Sequence, residues 1–267
     1  MTLRTAPDSV VLLDVEDRIA TVTLNRPAAR NALSSEVLRL LPQLMLAAND
    51  DDDVDVVILT GTDPAFCAGL DLKELGSTGG NLGASPSERR QDSTSRTRRG
   101  PFPDMDKPVI GAVNGVAITG GFELALNCDF LVASENAKFG DTHARVGVMP
   151  GWGLTVLLPQ AIGVRRAREM SFTGNFMSAD EALQWGLVNH VVPHGDVLAT
   201  ARRLALDIVG NDQPGVRQIR RTYAEIHADT EGWAIEGRDG ARWQKEQFAP
   251  EKVAARRAAI QERGRVQ

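Results

Sequence analysis

Cysteine is scarce in this chain: 267 residues carry two, Cys67 and Cys128, both in apolar contexts. Two cysteines make no disulfide framework, and such sparing use points to a reduced compartment. Long apolar runs are missing as well. No stretch approaches the ~18–20 apolar residues that a membrane helix requires. The opening residues, Met1-Thr2-Leu3-Arg4-Thr5-Ala6-Pro7-Asp8-Ser9, hold no apolar leader core, so the cytoplasm is the expected location. Excess positive charge is absent too: the formal net charge of −5 gives no support for a nucleic-acid surface. Several catalytic signatures do not occur, among them a phosphate-binding lysine loop, a GxSxG elbow, HExxH and CxxC. Gly151-x-Gly153 lacks the third glycine of a dinucleotide fingerprint and follows no clean strand. No cluster of metal ligands is visible, and neither a metal nor a resident cofactor is expected.

What remains is enough for a full core, since 42% of the residues are hydrophobic. Val10–Val15 and Ile19–Leu24 are β-branched runs split by Glu16-Asp17-Arg18, which predicts a hairpin. Ser34 or Ser35 caps a helix with Leu38, Leu41 and Leu44 on one face, and Pro42 is expected to kink it. Val54–Thr60 reads as a buried strand, and strands alternate with helices through Asp129–Ala133, an α/β pattern. Past Pro150 the pattern turns helical. Ser178-Ala179-Asp180-Glu181 is a capping box, Leu187–Val192 is a short extended run, and helices are predicted over Val197–Val209, Pro214–His227, Trp233–Gln247 and Pro250–Arg263. Between these regions Gly76–Gly100, rich in Gly, Ser and Arg, offers hardly an apolar anchor and reads as a mobile flap beside a pocket.

Two glycine-bearing loops stand out. Ala65-Phe66-Cys67-Ala68-Gly69-Leu70-Asp71-Leu72 follows the run Val56–Thr60, and Asn114-Gly115-Val116-Ala117-Ile118-Thr119-Gly120-Gly121-Phe122-Glu123 follows Val109–Val113. Each leads into a helical pattern whose first amides have no partner within the helix. Glycine lets backbone approach a ligand closely. Two such loops meeting in space would aim two N–H donors at one oxygen, which is an oxyanion hole. Glu123 stands in the opening turn of the second helix, where the helix dipole favours its ionised form unless desolvation outweighs it.

The ordered set Leu24-Asn25-Arg26-Pro27, Asn31-Ala32-Leu33, the AGLDL run at Ala68–Leu72, NGxAxxGGxELALxCD from Asn114 to Asp129, and Ala137-Lys138-Phe139-Gly140 strongly resembles the crotonase superfamily of enoyl-CoA hydratases and isomerases. The resemblance runs from about Val10 to the C-terminus. It implies a spiral of β-β-α repeats over residues 1–195. It also implies a C-terminal helical region, 196–267, that packs across subunits of a trimer or a pair of trimers. The substrate it implies is an acyl-CoA thioester, with coenzyme A entering as part of the substrate.

By the same resemblance the amides of Leu70 and Gly120 grip the thioester carbonyl, and Glu123 is the first catalytic glutamate. Ala68, Gly69, Asp71 and Leu72 border the adenine and pantetheine path. Arg26, Arg30 and Lys73 are candidate partners of the phosphates, with plain surface charge as the alternative. Trp152, in a proline-glycine turn, either lines the acyl pocket or anchors core. One position departs from the pattern. Hydratases of the family place a second glutamate in a Phe-Gly-x-x-Glu motif, and here Phe139-Gly140-Asp141-Thr142-His143 puts a histidine there. An imidazole with an ordinary pKa near ~6.5 is able to move the second proton, with Asp141 as its orienting partner. The expected reaction is hydration of a 2-enoyl-CoA. The alternatives are another reaction through the same hole (isomerisation, decarboxylation or thioester hydrolysis) and acyl-CoA binding without turnover.

Overall fold

The structure, a computed structural model, describes residues 5–82 and 100–267. The chain opens with the expected hairpin, β1 (Val11–Glu16) and β2 (Ile19–Leu24), paired antiparallel with Val11 opposite Leu24. Asp17 and Arg18 both take positive φ at its turn. The chain then rises through α1 (Ser35–Asp50), capped by the Ser34 hydroxyl, which accepts from the Val37 amide. Pro42 does not interrupt this helix, which is continuous over all sixteen residues. Its buried face is Val37, Leu41, Met45 and Ala48, with Leu38 and Leu44 packed at the border.

The spiral follows from three repeats of one unit. β3 (Val56–Gly61) and β4 (Ala65–Cys67) lead to α2 (Leu72–Ser77); β5 (Val109–Val113) and β6 (Val116–Ile118) lead to α3 (Gly120–Leu126); β7 (Phe130–Ser134) and β8 (Lys138–Gly140) lead to α4 (His143–Val146). Each unit gives its first strand to one sheet and its second to another. The larger sheet has the order β1-β2-β3-β5-β7-β10 and is parallel from β2 onward, where β10 is His190–Val192. The smaller has the order β4-β6-β8-β9, with β9 (Phe176–Ser178) antiparallel to β8. β3 and β5 are buried throughout, as their uninterrupted apolar runs require of strands covered on both faces.

After the third unit come α5 (Leu154–Ile162), α6 (Val164–Thr173) and α7 (Ala179–Trp185). α7 opens on the capping box: the Ser178 hydroxyl accepts from the Glu181 amide and the Glu181 carboxylate accepts from the Ser178 amide. Four further helices complete the chain: α8 (Val197–Val209), α9 (Gln213–Ile226), α10 (Thr230–Glu246) and α11 (Pro250–Arg265). α8 covers the outer face of the larger sheet, setting Val197, Ala201 and Ala205 against Ile58, Ile110 and Val132. α11 returns to α2 and α4, where Val253 meets Leu75, Val146 and Val148.

The flap expected over 76–100 has a folded beginning. Gly76 and Ser77 belong to α2, and Gly80–Leu82 forms a 3-10 turn anchored by buried Asn81, which donates to the carbonyls of Leu33 and Asp71 at 3.0 Å each. Residues 83–99 lie outside the described residues.

Candidate active site

The two glycine loops meet. A side-chain carbon at Gly121 would stand 2.2 Å from the Cys67 carbonyl oxygen, so only glycine lets the start of α3 approach β4 this closely. Gly69 has φ +80°, and a side-chain carbon there would stand 2.7 Å from the Ile118 carbonyl oxygen. Leu70 and Gly120 thereby line one cavity of about 260 Å³. Among the described residues neither backbone N–H has an acceptor. Thr119, immediately before Gly120, holds a positive φ of 54°, a strained position for a β-branched residue. Its hydroxyl is tied to that of Thr142 at 2.6 Å, and its amide donates to the Gly140 carbonyl.

Glu123, buried one turn into α3, faces the same cavity. Its Oε1 accepts from the amides of Trp152 (2.8 Å) and Gly151 (3.2 Å). Its Oε2 lies 3.4 Å from His143 Nε2. The other ring nitrogen, Nδ1, is 2.6 Å from Asp141 Oδ1, which also accepts the His143 amide. Burial disfavours the imidazolium, but the charge of Glu123 and the hydrogen bonds that the ring donates to both carboxylates override it and raise the His143 pKa well above its ordinary value. Burial pushes the Asp141 carboxyl up, and the bond to His143 outweighs this and holds its pKa low. The result is an imidazolium between two carboxylates. It is able to release a proton into the cavity while Glu123 accepts one.

The expected site residues divide between two cavities. Leu70, Gly120, Glu123, His143 and Trp152 line the first. Trp152 is buried in the main core, and its ring lies against Gly120. Arg26, Arg30, Ala68, Asp71, Leu72 and Lys73 line the second, of about 540 Å³, which shares Leu70 and Val148 with the first. Arg26 is already engaged, donating to the Ala32 carbonyl and to Asp71 Oδ2 at 3.0 Å. Asp71 also caps α2, accepting from the amides of Lys73 and Glu74. Gly69 borders neither cavity and serves the turn.

Sequence reasoning missed the far wall. Glu236, Gly240 and Trp243 of α10, with Phe248 beyond it, close the first cavity. No local signal marks them, because only the return of the C-terminal helices brings them there. The amide donors of Gly151 and Trp152 carried a faint signal in their proline-glycine turn. Among the described residues no group of three His, Cys, Asp or Glu side chains is arranged to hold a metal ion.

Comparison with known proteins agrees with this architecture. Residues 14–258 match the family model of enoyl-CoA hydratase/isomerase. A probable peroxisomal enoyl-CoA hydratase of Arabidopsis thaliana is 43% identical over 202 residues, covering 76% of this chain and 73% of that protein. A crotonyl-CoA hydratase of Syntrophomonas wolfei is 38% identical over 208 residues, 78% of either chain. The crystal structure of an enoyl-CoA hydratase from Mycobacterium smegmatis superposes with a TM-score of 0.77 at 52% identity, over 89% of this chain and 99% of that one. A family match over nearly the whole chain, on a two-sheet spiral of the same shape, means that this protein belongs to the enoyl-CoA hydratase/isomerase family of the crotonase superfamily.

Proposed function

We propose that this enzyme adds water across the double bond of a 2-enoyl-CoA thioester. The observation that carries the reading is the meeting, in one cavity, of two unpartnered amides with the Glu123–His143–Asp141 chain. Glu123 takes a proton from water as its oxygen bonds to the β-carbon. Electrons move to the thioester oxygen, where the Leu70 and Gly120 amides stabilise the enolate, and a well-placed donor of this kind contributes ~3–4 kcal/mol. The enolate collapses as His143 delivers a proton to the α-carbon. Passage of the proton from Glu123 to His143, 3.4 Å away, restores both groups. Coenzyme A is part of the substrate. The second cavity, with Arg26, Arg30 and Lys73 on its border, suits the polyanionic end of that molecule.

Two finer points belong to the same proposal. The protein works in a reduced compartment, the cytoplasm by expectation; no helix among the described residues is long and apolar enough to cross a membrane. It assembles as a trimer or a pair of trimers, a reading supported by the outward apolar face of α9.

Crotonyl-CoA decides the reaction. Loss of the enone absorbance with formation of the 3-hydroxyacyl thioester is the expected result. A different product would replace hydration with a sister reaction. Tight binding with no chemical change would make the protein an acyl-CoA carrier or sensor.

A further inference from the structure

Glu236 is a buried carboxylate outside the proposed mechanism, yet it borders the same cavity as Glu123. It projects from α10 and reaches the start of α5, 83 residues earlier in the chain. Its Oε1 accepts from the Gly153 amide at 2.7 Å, and its Oε2 accepts from the Thr155 amide at 2.8 Å and from the Thr155 hydroxyl. Glu123 takes the two amides immediately before these, Gly151 and Trp152. One short segment is therefore divided between two carboxylates. Gly153 caps α5 with φ +100°, a conformation that excludes the usual Ser or Asp cap, and no local side chain does the work. α10 holds the segment elsewhere too: the Trp243 indole donates to the Gly147 carbonyl at 3.0 Å, and Gly240 stands against the Pro150 carbonyl.

We propose that Glu236 is a positioning residue for the reaction, fixing through Gly153 and Thr155 the neighbouring amides that hold Glu123 in place. The proposal rests on the reading of Glu123 as the group that handles water. The wall of the acyl cavity and the clamp on the base are then the same helix. An acyl group that seats against α10 also sets the base. The proximity of Glu123 adds to the effect of burial in raising the Glu236 pKa, which agrees with two carboxylates held close together by shared backbone.

Glu236→Gln tests this without a change of volume, because its amide nitrogen turns a donor toward Gly153 or Thr155. Crotonyl-CoA turnover should fall ~10- to 100-fold in kcat, the scale of a misplaced catalytic group, with KM within about threefold. In a Glu123→Gln background the same change should cost less than about twofold, since nothing is left to position. Amide hydrogen exchange at Gly151 and Trp152, which Glu236 does not touch, should quicken in Glu236→Gln. Thr155→Val removes only the hydroxyl donor and should shift kcat in the same direction, by less. An equal loss in both backgrounds, an unchanged kcat, or unaltered exchange at Gly151 and Trp152 would overturn the proposal. If Glu236→Gln does not fold, Thr155→Val decides through the same measurements. Should the wild type leave crotonyl-CoA unchanged, the hydratase reading fails by itself, and amide exchange still judges the role of Glu236.

Discussion

A glutamate in the first turn of a helix ordinarily does no more than complement the helix dipole. At Glu123 the surroundings assign more: one carboxylate oxygen is fixed by two amides, and the other is left to face an imidazole. Glu123→Gln keeps the shape and the acceptor but cannot take a proton, so kcat should drop ~10²-fold or more, the contribution of a positioned acid–base group. Binding of the acyl-CoA should change little; full activity in the variant would remove Glu123 from the reaction. His143 calls for a revision of what its residue type suggests. An isolated imidazole would place an activity inflection near ~6.5, but two carboxylates raise its pKa. The proton donor is therefore present throughout the neutral range and is lost at alkaline pH, as the solution passes the raised value. Rate should fall on the basic side, and His143→Gln should abolish that limb along with most of the turnover. The same linkage acts on stability. The protonated pair stabilises the fold fully below the ordinary value of ~6.5, and this contribution disappears as pH rises through the folded value. His143→Ala leaves Asp141 and Glu123 buried without their partner, at a cost of ~3–5 kcal/mol, which thermal unfolding at neutral pH measures. His143→Glu would set a third carboxylate between two others. It should therefore lose stability even if it resembles the two-glutamate pattern of the hydratases.

The loops explain why part of the site was legible and part was not. Gly69, Gly120 and Gly121 were visible because close backbone approach demands glycine, and the structure gives the atoms that demand it. The short strands β4, β6 and β8, three residues each, carry too little periodicity to be seen without the family pattern. α8 to α11 were legible nearly to their ends: α8 to α10 carry spaced apolar residues, and α11, rich in Arg and Ala, opens on Pro250. Pro42 ends nothing, since α1 continues through it. Glu236 gave no signal at all, being one acid in a polar helix until tertiary packing buries it. Leu70→Pro removes an amide donor and should lose ~10²-fold or more in turnover, whereas Leu70→Ala keeps the donor and should retain most activity. A severe defect in folded Leu70→Ala would mean that the side chain, not the backbone, makes the contact. Gly121→Ala should be destabilised by ~1–3 kcal/mol or more, because its new carbon meets the Cys67 carbonyl, which cannot swing aside.

At the scale of the whole molecule, α9 is inside out. Its cations turn toward the spiral: Arg220 pairs with Asp129 at 2.9 Å, and Arg217 reaches the buried Asp55 at 3.6 Å. Its apolar stripe, Ile219, Tyr223 and Ile226 at helical spacing, turns away, and each is more than half exposed. α9 has no buried residue at all. An amphipathic helix held by its charged face leaves the apolar face for another surface, and in the proposed trimer that surface belongs to a second copy. Ile219→Lys with Tyr223→Lys would introduce charge where the interface excludes water. Losing two anchors of this kind costs ~2 kcal/mol or more each, enough to weaken association by ~10²-fold or beyond. Sedimentation should then show a single chain for the variant and a multiple of three for the wild type. The fold of each chain should persist, because the stripe supports nothing within it. A wild-type protein that sediments as a monomer, or a variant with unchanged mass, would remove α9 from the assembly and leave its outward apolar face to some other contact.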